Sequence, residues 1–413
     1  MNRAFDHLRI NAYRALKSID LPDLGQVNIF VGDNNSGKTS LLEAIAILCN
    51  PLDPFQWLEV ANRRLYSTSL IHTNFESIEW LFPKLTESTP NLSLNKNLDI
   101  EDSYQKISIQ ANGYASMKNG DAVIRGFTAQ LRKIYSSKIG KAYFNNFPVQ
   151  DSGSMNEDED DISETPMIQP GLELEVTVDL TDTQGTLSLI DLAIKDLKDS
   201  VETFRFWENQ RFFRRSRTRG LVRNITIFPA YTGNPVDMMT RFSRSVEVNG
   251  KDSILNLMRL FDPKVLDIEI LSFNSKPSFY IQYEETGLAP LYVFGDGFKR
   301  AFQIALAVSI LQNSGTSVLL IDEIETSIHV SALSHIFSWL IQICRQCNIQ
   351  LFVTTHSLEA IDAMLFPETT PENWETTIED IVAFRLSSKG KPPQRFSGNF
   401  LSQLRSERGL DVR

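Results

Sequence analysis

The sequence predicts an α/β protein. It has antiparallel strands at the N-terminus, a mainly parallel core sheet flanked by helices, and a large α+β insertion. Three observations carry this. The glycine-containing stretch GDNNSGKTS (32–40) stands between an apolar strand and an amphipathic helix. From residue 224 onward strands and helices alternate, and the strands are apolar throughout, as in a parallel sheet covered on both faces. One of those strands ends in two adjacent acids, Asp322 and Glu323.

The elements follow in order. HLRINAY and LKSIDL read as short strands, and QVNIFV as a fuller apolar one. A helix is expected from about Thr39, with Leu41, Leu42, Ile45 and Leu48 on one face. Residues 1–50 and 224–413 form the expected core, and 51–223 an inserted helical/β region. Within the insertion FTAQLRKIY reads as helical and LELEVTVDL as a strand. The run 151–165 carries seven acids and no base, and so reads as a disordered acidic surface loop. Beyond residue 224, ITIFPAY is a strand, DSILNLMRLFD a helix, and VLDIEILSF and FYIQYE are strands. FKRAFQIALAVSILQ is a helix and SVLLID a buried strand. SALSHIFSWLIQICRQC is a helix, IQLFVTT a second buried strand, and SLEAIDAML a helix.

Composition is that of a globular chain, with 413 residues, 42% hydrophobic and 22% charged. That length suffices for two cores, or for one core with a large insertion. The acidic run accounts for most of the net charge of −10, so charge neither suggests nor excludes a nucleic-acid partner. MNRAFDHLRI has no apolar h-region, so no signal peptide is expected, and no apolar run approaches the roughly 18 residues of a membrane span. Three cysteines cannot build a disulfide framework, which suits a reducing cytoplasm. Cys344 and Cys347 form a CxxC within a helix-to-strand connection, which speaks against a zinc hook.

Gly32, Gly37, Lys38 and Thr39 have the spacing of a phosphate-binding loop. Glycines let the backbone turn with positive φ and approach an anion closely. The amides of Asn34, Asn35, Ser36, Gly37, Lys38 and Thr39, followed by Ser40, would cradle phosphates at a helix N-terminus. Lys38 would reach the β- and γ-phosphates of ATP, and the Thr39 hydroxyl would hold Mg²⁺. A carboxylate at the C-terminal end of a buried parallel strand points into a ligand crevice. Asp322 would therefore bind Mg²⁺, and Glu323 would orient and deprotonate the attacking water. Glu325 reads equally well as a solvated acid at a helix start. His356 follows the next buried strand, whose end should lie on the same rim, within reach of the γ-phosphate. Gly295, Asp296 and Gly297 precede a helix and make a second anion-ready surface.

In this order, the phosphate loop, the glycine-containing FGDGFKRAFQIAL, the strand LLIDEIETSIHVSAL and the histidine of VTTHSLEAIDAML resemble the ABC-type ATPase head of the OLD-family and SMC-like branch. The opening AYRALKSIDLPDLGQVNIFVGDNNSGKTSLLEAI has the same likeness. The resemblance covers about 1–50 and 225–365. It implies an ATPase whose heads associate as a homo-oligomer on binding ATP and Mg²⁺. Gly295 to Gly297 would act on nucleotide held by a partner subunit, His329 would lie in the loop coupling two sites, and Arg14 would match a basic position near the nucleotide. The usual signature serine is absent from FGDGFKR, and the family's Mg²⁺-linked glutamine has no clear counterpart. There are no long coiled arms, and little chain follows His356 for a TOPRIM domain. The resemblance is thus to the ATPase halves of anti-phage defence pairs, which regulate a separate TOPRIM nuclease.

FRFWENQRFFRRSRTRGLVR (204–223) interleaves arginines, from Arg205 to Arg223, with aromatics. It could track DNA or RNA phosphates and stack on bases, or form an amphipathic helix with aromatics inward. Three function classes stay open: an ATP-hydrolysing switch (in defence or in SMC-like DNA repair), a nucleotide-gated scaffold with negligible turnover, and a P-loop kinase for a small metabolite.

Overall fold

The computed structural model describes residues 3–63, 74–83, 105–117, 120–138, 167–182, 201–207, 221–229, 235–247, 249–273, 276–312, 314–367, 374–388 and 390–412. The acidic run 151–165 and residues 208–220 of the arginine-rich stretch lie outside them.

Three sheets form. The first is antiparallel: β1 (Phe5–Tyr13), β2 (Leu16–Leu21), β4 (Gln105–Met117), β5 (Gly120–Lys138), β6 (Met167–Asp182) and β7 (Val201–Trp207), in the order β2-β1-β4-β5-β6-β7. Strands from residues 105–207 thus extend the hairpin begun by β1 and β2 through the β1–β4 pairing. The second is the core sheet: β3 (Val27–Gly32), β8 (Arg223–Ile227), β12 (Ser317–Ile321), β13 (Ile349–Thr354), β14 (Ile381–Leu386) and β15 (Gln394–Ser397), in the order β15-β14-β3-β13-β12-β8. Only β15 runs antiparallel to its neighbour. The third is the small sheet β9 (Val265–Phe273), β10 (Lys276–Tyr283) and β11 (Gly287–Pro290).

Ten helices are described: α1 (Lys38–Cys49), α2 (Pro54–Asn62), α3 (Asn74–Glu79), α4 (Pro235–Glu247), α5 (Lys251–Phe261), α6 (Asp296–Leu311), α7 (Val330–Gln346), α8 (Leu358–Leu365), α9 (Trp374–Glu379) and α10 (Gly398–Arg408). Among the described residues no helix is long and apolar enough to cross a membrane. The expected class is observed, with a mainly parallel sheet flanked by helices and antiparallel strands at the N-terminus.

Period-2 alternation sorts the core strands between two hydrophobic clusters. From β3, Val27, Ile29 and Val31 face one side with residues of α5, α6, α7 and α8. Phe30 faces the other, with α1 and the buried face of the antiparallel sheet. There it stacks on Phe352 of β13 and meets Phe384 of β14 at 6.0 Å between ring centroids. Helix α1 is therefore apolar nearly all round, buried between two sheets. A buried amide joins the sheets: Gln350 of β13 accepts from the Phe5 N–H and donates to the carbonyls of Phe5 and Gly25.

Two expectations are corrected. FTAQLRKIY is not helical but lies in β5, where Phe127, Ala129 and Leu131 point into the core on every second residue. Its Ala, Gln, Leu, Arg and Lys favour helix locally, but pairing with β4 and β6 overrides a weak propensity. The helical alternative for 204–223 fails at its start, because Phe204–Trp207 are strand, paired to β6.

Phe30→Ala should destabilise the fold by about 3–5 kcal/mol, since it removes a fully buried ring from a three-ring contact. Denaturant unfolding of the two proteins measures it.

Candidate functional site

Register brings the site together. Strand β13 pairs in parallel with both β3 and β12, so the C-terminal ends of all three reach one rim. The phosphate-loop residues lie beyond β3, Asp322 and Glu323 beyond β12, and His356 beyond β13.

The loop has the conformation its glycines permit. Gly32 has φ 141° and Gly37 φ 92°, and Asn35, at φ 64°, is also left-handed. A Cβ on Gly32 would meet the Leu386 carbonyl at 2.3 Å, so the end of β14 holds the loop from below. Gly37 precedes α1 directly, and Asn34 and Asn35 are exposed. Ser36 Oγ is buried without a hydrogen-bond partner among the described residues, and Ser40 is half-buried on the first turn of α1. Lys38 turns back on its own loop, donating to the carbonyls of Gly32 at 2.8 Å and Asp33 at 2.9 Å. Burial lowers its pKa, opposed by the carboxylates of Asp322, Glu323, Asp33 and Glu325.

Thr39 Oγ1 donates to Asp322 Oδ2 at 2.9 Å, and Thr354 Oγ1 to Asp322 Oδ1 at 2.6 Å. Asp322 is buried; desolvation raises its pKa, opposed by the Thr354 and Thr39 hydrogen bonds. A hydroxyl and a carboxylate facing each other are hard oxygen donors. They fit Mg²⁺, which takes one or two protein oxygens and fills its octahedron with water and phosphate.

Glu323 follows with φ 46°, a strained value for a residue with a side chain. Its N–H donates to Thr354 Oγ1 at 2.8 Å, and its Oε2 accepts from Thr326 Oγ1 at 3.2 Å. Glu325 is not a solvated helix-start acid, because no helix begins there until α7. It accepts the His356 N–H at 2.8 Å and so ties the loop after β12 to the loop after β13. His356 lines a cavity of about 580 Å³ together with Gly32, Asp33, Asn34, Arg385 and Asp411.

Other candidates lie apart from that cavity. Gly295 caps α6 and is exposed, as is Asp296, which pairs with Lys299. A Cβ on Gly297 would meet the Ser327 carbonyl at 2.5 Å, so the start of α6 rests on the loop after β12. His329 caps α7, accepting from the Ser331 N–H. Arg14, left-handed at φ 49°, pairs with Glu43 of α1 at 2.8 Å and does not line the cavity. Arg205 pairs with Glu173 within the antiparallel sheet, and Arg223 donates to Ser314 Oγ. Cys344 is buried in α7 and Cys347 caps it.

Sequence reading passed over three residues. Thr354 bridges Asp322 and Glu323, and its only signal was a threonine ending an apolar strand. Arg385, on the cavity wall, and Arg300, bonded behind Glu323, carry no signal that separates them from surface arginines.

The chain is 21% identical over 369 residues to the ATP/GTP phosphatase of Helicobacter pylori, covering 86% of each chain. It is 46% identical over 71 residues to an uncharacterised protein of Methanocaldococcus jannaschii; the match spans 17% of this chain and 60% of that protein. Among solved structures, the Smc head domain of Pyrococcus furiosus superposes over 98% of this chain and 99% of that one, with a TM-score of 0.47 at 8% identity. A score that low bears on neither function nor partners. The AAA ATPase domain model matches residues 5–361, from β1 through the phosphate loop and the Asp-Glu strand to His356. The chain therefore belongs to the AAA ATPase domain family.

Proposed function

We propose that the protein is an ATP-binding and ATP-hydrolysing switch whose heads associate when ATP is bound. The observation that carries this reading is the convergence of Thr39, Asp322 and Thr354 beside the Lys38 loop. The Helicobacter pylori relative, named an ATP/GTP phosphatase, supports nucleoside triphosphate hydrolysis.

In this reading the loop amides and Lys38 bind the β- and γ-phosphates, Lys38 exchanging two backbone carbonyls for phosphate oxygens. Arg14 acts at one remove from the nucleotide, bracing α1 through Glu43. Thr39 and Asp322 would hold Mg²⁺, which when bound offsets phosphate charge and polarises the γ-phosphoryl group. Glu323 accepts a proton from the attacking water through its carboxylate, after leaving Thr326. His356, beside Gly32 and Asn34 on the cavity wall, senses the γ-phosphate. The Gly295–Gly297 end of α6, exposed at Gly295 and Asp296, meets nucleotide held by a second copy, and His329 lies in the loop that couples the two sites.

The finer role we propose is control of a separate effector, such as a TOPRIM nuclease in anti-phage defence. The support is the likeness of the motif set to compact heads of that kind. Residues 1–50 and 224–413 act as the ATPase core in this scheme, with 51–223 as the inserted region.

Lys38→Ala should weaken ATP binding by about 10- to 100-fold, the loss of charge-assisted hydrogen bonds worth roughly 1.5–3 kcal/mol each. Titration with ATP and Mg²⁺ reads this, and unchanged affinity would remove the phosphate-loop assignment. Glu323→Gln should bind ATP normally yet hydrolyse it roughly 10²- to 10⁴-fold more slowly. It should also accumulate associated heads, visible by light scattering. Phosphate release at the wild-type rate would end the general-base assignment.

A further inference from the structure

The loop after β12 is strained at the residue meant to activate water, and something must hold it. Glu323 sits at φ 46° and Ser327 at φ 66°, two left-handed non-glycine residues four positions apart. On one side Thr354 accepts the Glu323 N–H through Oγ1 and the Ile324 N–H through its carbonyl. On the other side stands Arg300 of α6, only 4% exposed. Its guanidinium donates to the Asp322 carbonyl at 2.7 Å, the Glu323 carbonyl at 3.3 Å and the Phe228 carbonyl, just past β8, at 2.9 Å.

Resting on the reading of Glu323 as the general base, we infer that Arg300 is a positioning residue: it fixes the strained Asp322–Glu323 backbone and couples its geometry to helix α6. The three acceptors are backbone carbonyls, so Arg300 sets main-chain direction and leaves both carboxylates free for their own partners. A planar fork with several donors can span carbonyls on two strands at once, which an ammonium does less well. Burial pushes its pKa down to about 10, opposed by Asp322, Glu323 and Glu325, so it stays charged at neutral pH. A buried cation attracted by these three carboxylates also offsets their mutual repulsion.

The coupling has a second contact. One turn before Arg300, Gly297 lies against the Ser327 carbonyl with no room for a Cβ. Helix α6 thus grips the loop at both ends, at Asp322–Glu323 through Arg300 and at Ser327 through Gly297. A rotation or shift of α6 would be carried to the Glu323 carboxylate by hydrogen bonds to its own peptide. The exposed Gly295 end of the same helix is where an outside contact could impose that shift.

The test uses the full chain with Arg300→Ala and Arg300→Lys, each alone and in a Glu323→Gln background. Steady-state kinetics should show KM for ATP within about threefold of wild type, with kcat lower by about 10- to 100-fold for R300A. R300K should recover part of the loss. R300A with E323Q should be no slower than E323Q alone, because a group acting through Glu323 has nothing left to act on. Hydrogen exchange without nucleotide gives a readout independent of hydrolysis. In R300A the amides of Glu323, Ile324 and Thr326 should exchange at least about tenfold faster, while Leu319 and Leu320 keep wild-type protection. If R300A does not fold, R300K carries the same measurements. Unchanged exchange at 323–326, or KM and kcat lost together with protection throughout β12, would overturn the inference. If E323Q alone hydrolyses ATP at the wild-type rate, the general-base reading fails, and the exchange data still decide whether Arg300 holds the loop.

Discussion

One buried carboxylate organises the rim. Asp322 accepts hydrogen bonds from Thr39 at the start of α1 and from Thr354 at the end of β13, and it stands at the end of β12. A carboxylate taken from water into a protein costs several kcal/mol unless its lone pairs are satisfied. Here two hydroxyls from distant parts of the chain satisfy them. The arrangement requires β3, β13 and β12 to be adjacent and parallel, because only then do their C-terminal ends meet. The β3-β13-β12 order is thus the precondition for the site, and the hydroxyl–carboxylate bonds are its direct result.

The layers around the rim serve the same end. Helix α1 is buried between the core sheet and the antiparallel sheet, so its N-terminus cannot drift from the end of β3. Gln350 ties β13 to both Phe5 and Gly25 with three hydrogen bonds, fixing one sheet against the other through a single amide. Arg14 reaches from the N-terminal hairpin to Glu43 on α1, a strut between the antiparallel sheet and the helix it covers. The strands from 105–207 complete the antiparallel sheet, so the hairpin that braces α1 is not an isolated two-stranded ribbon, which would be marginal by itself.

On the opposite face the loops after β12 and β13 are held by polar contacts instead of apolar packing. Glu325 accepts the His356 N–H, Thr354 accepts the Glu323 N–H, and Arg300 donates to the carbonyls of Asp322 and Glu323. Such contacts fix direction and can be exchanged when charge arrives, whereas close-packed hydrocarbon cannot. The strained Glu323 backbone survives because it is gripped from two sides.

Much of this was legible in the sequence, where the signal is local. Continuous apolar runs marked the core strands, the spacing of Gly32, Gly37, Lys38 and Thr39 marked the phosphate loop, and acids at a strand end marked the rim. The failures share a cause. FTAQLRKIY has helix-favouring residues but pairs as a strand, and the start of the arginine-rich stretch does the same, since sheet pairing is set by partners far along the chain. Thr354 and Arg300 could not be singled out, and Glu325 could be noticed but not given its role, because each matters only for what it touches across 22 or more residues of sequence. Residue types determine which groups can cradle an anion or hold a cation. Which of them meet is decided by strand order and register, which depend on the burial of whole faces and not on any short stretch.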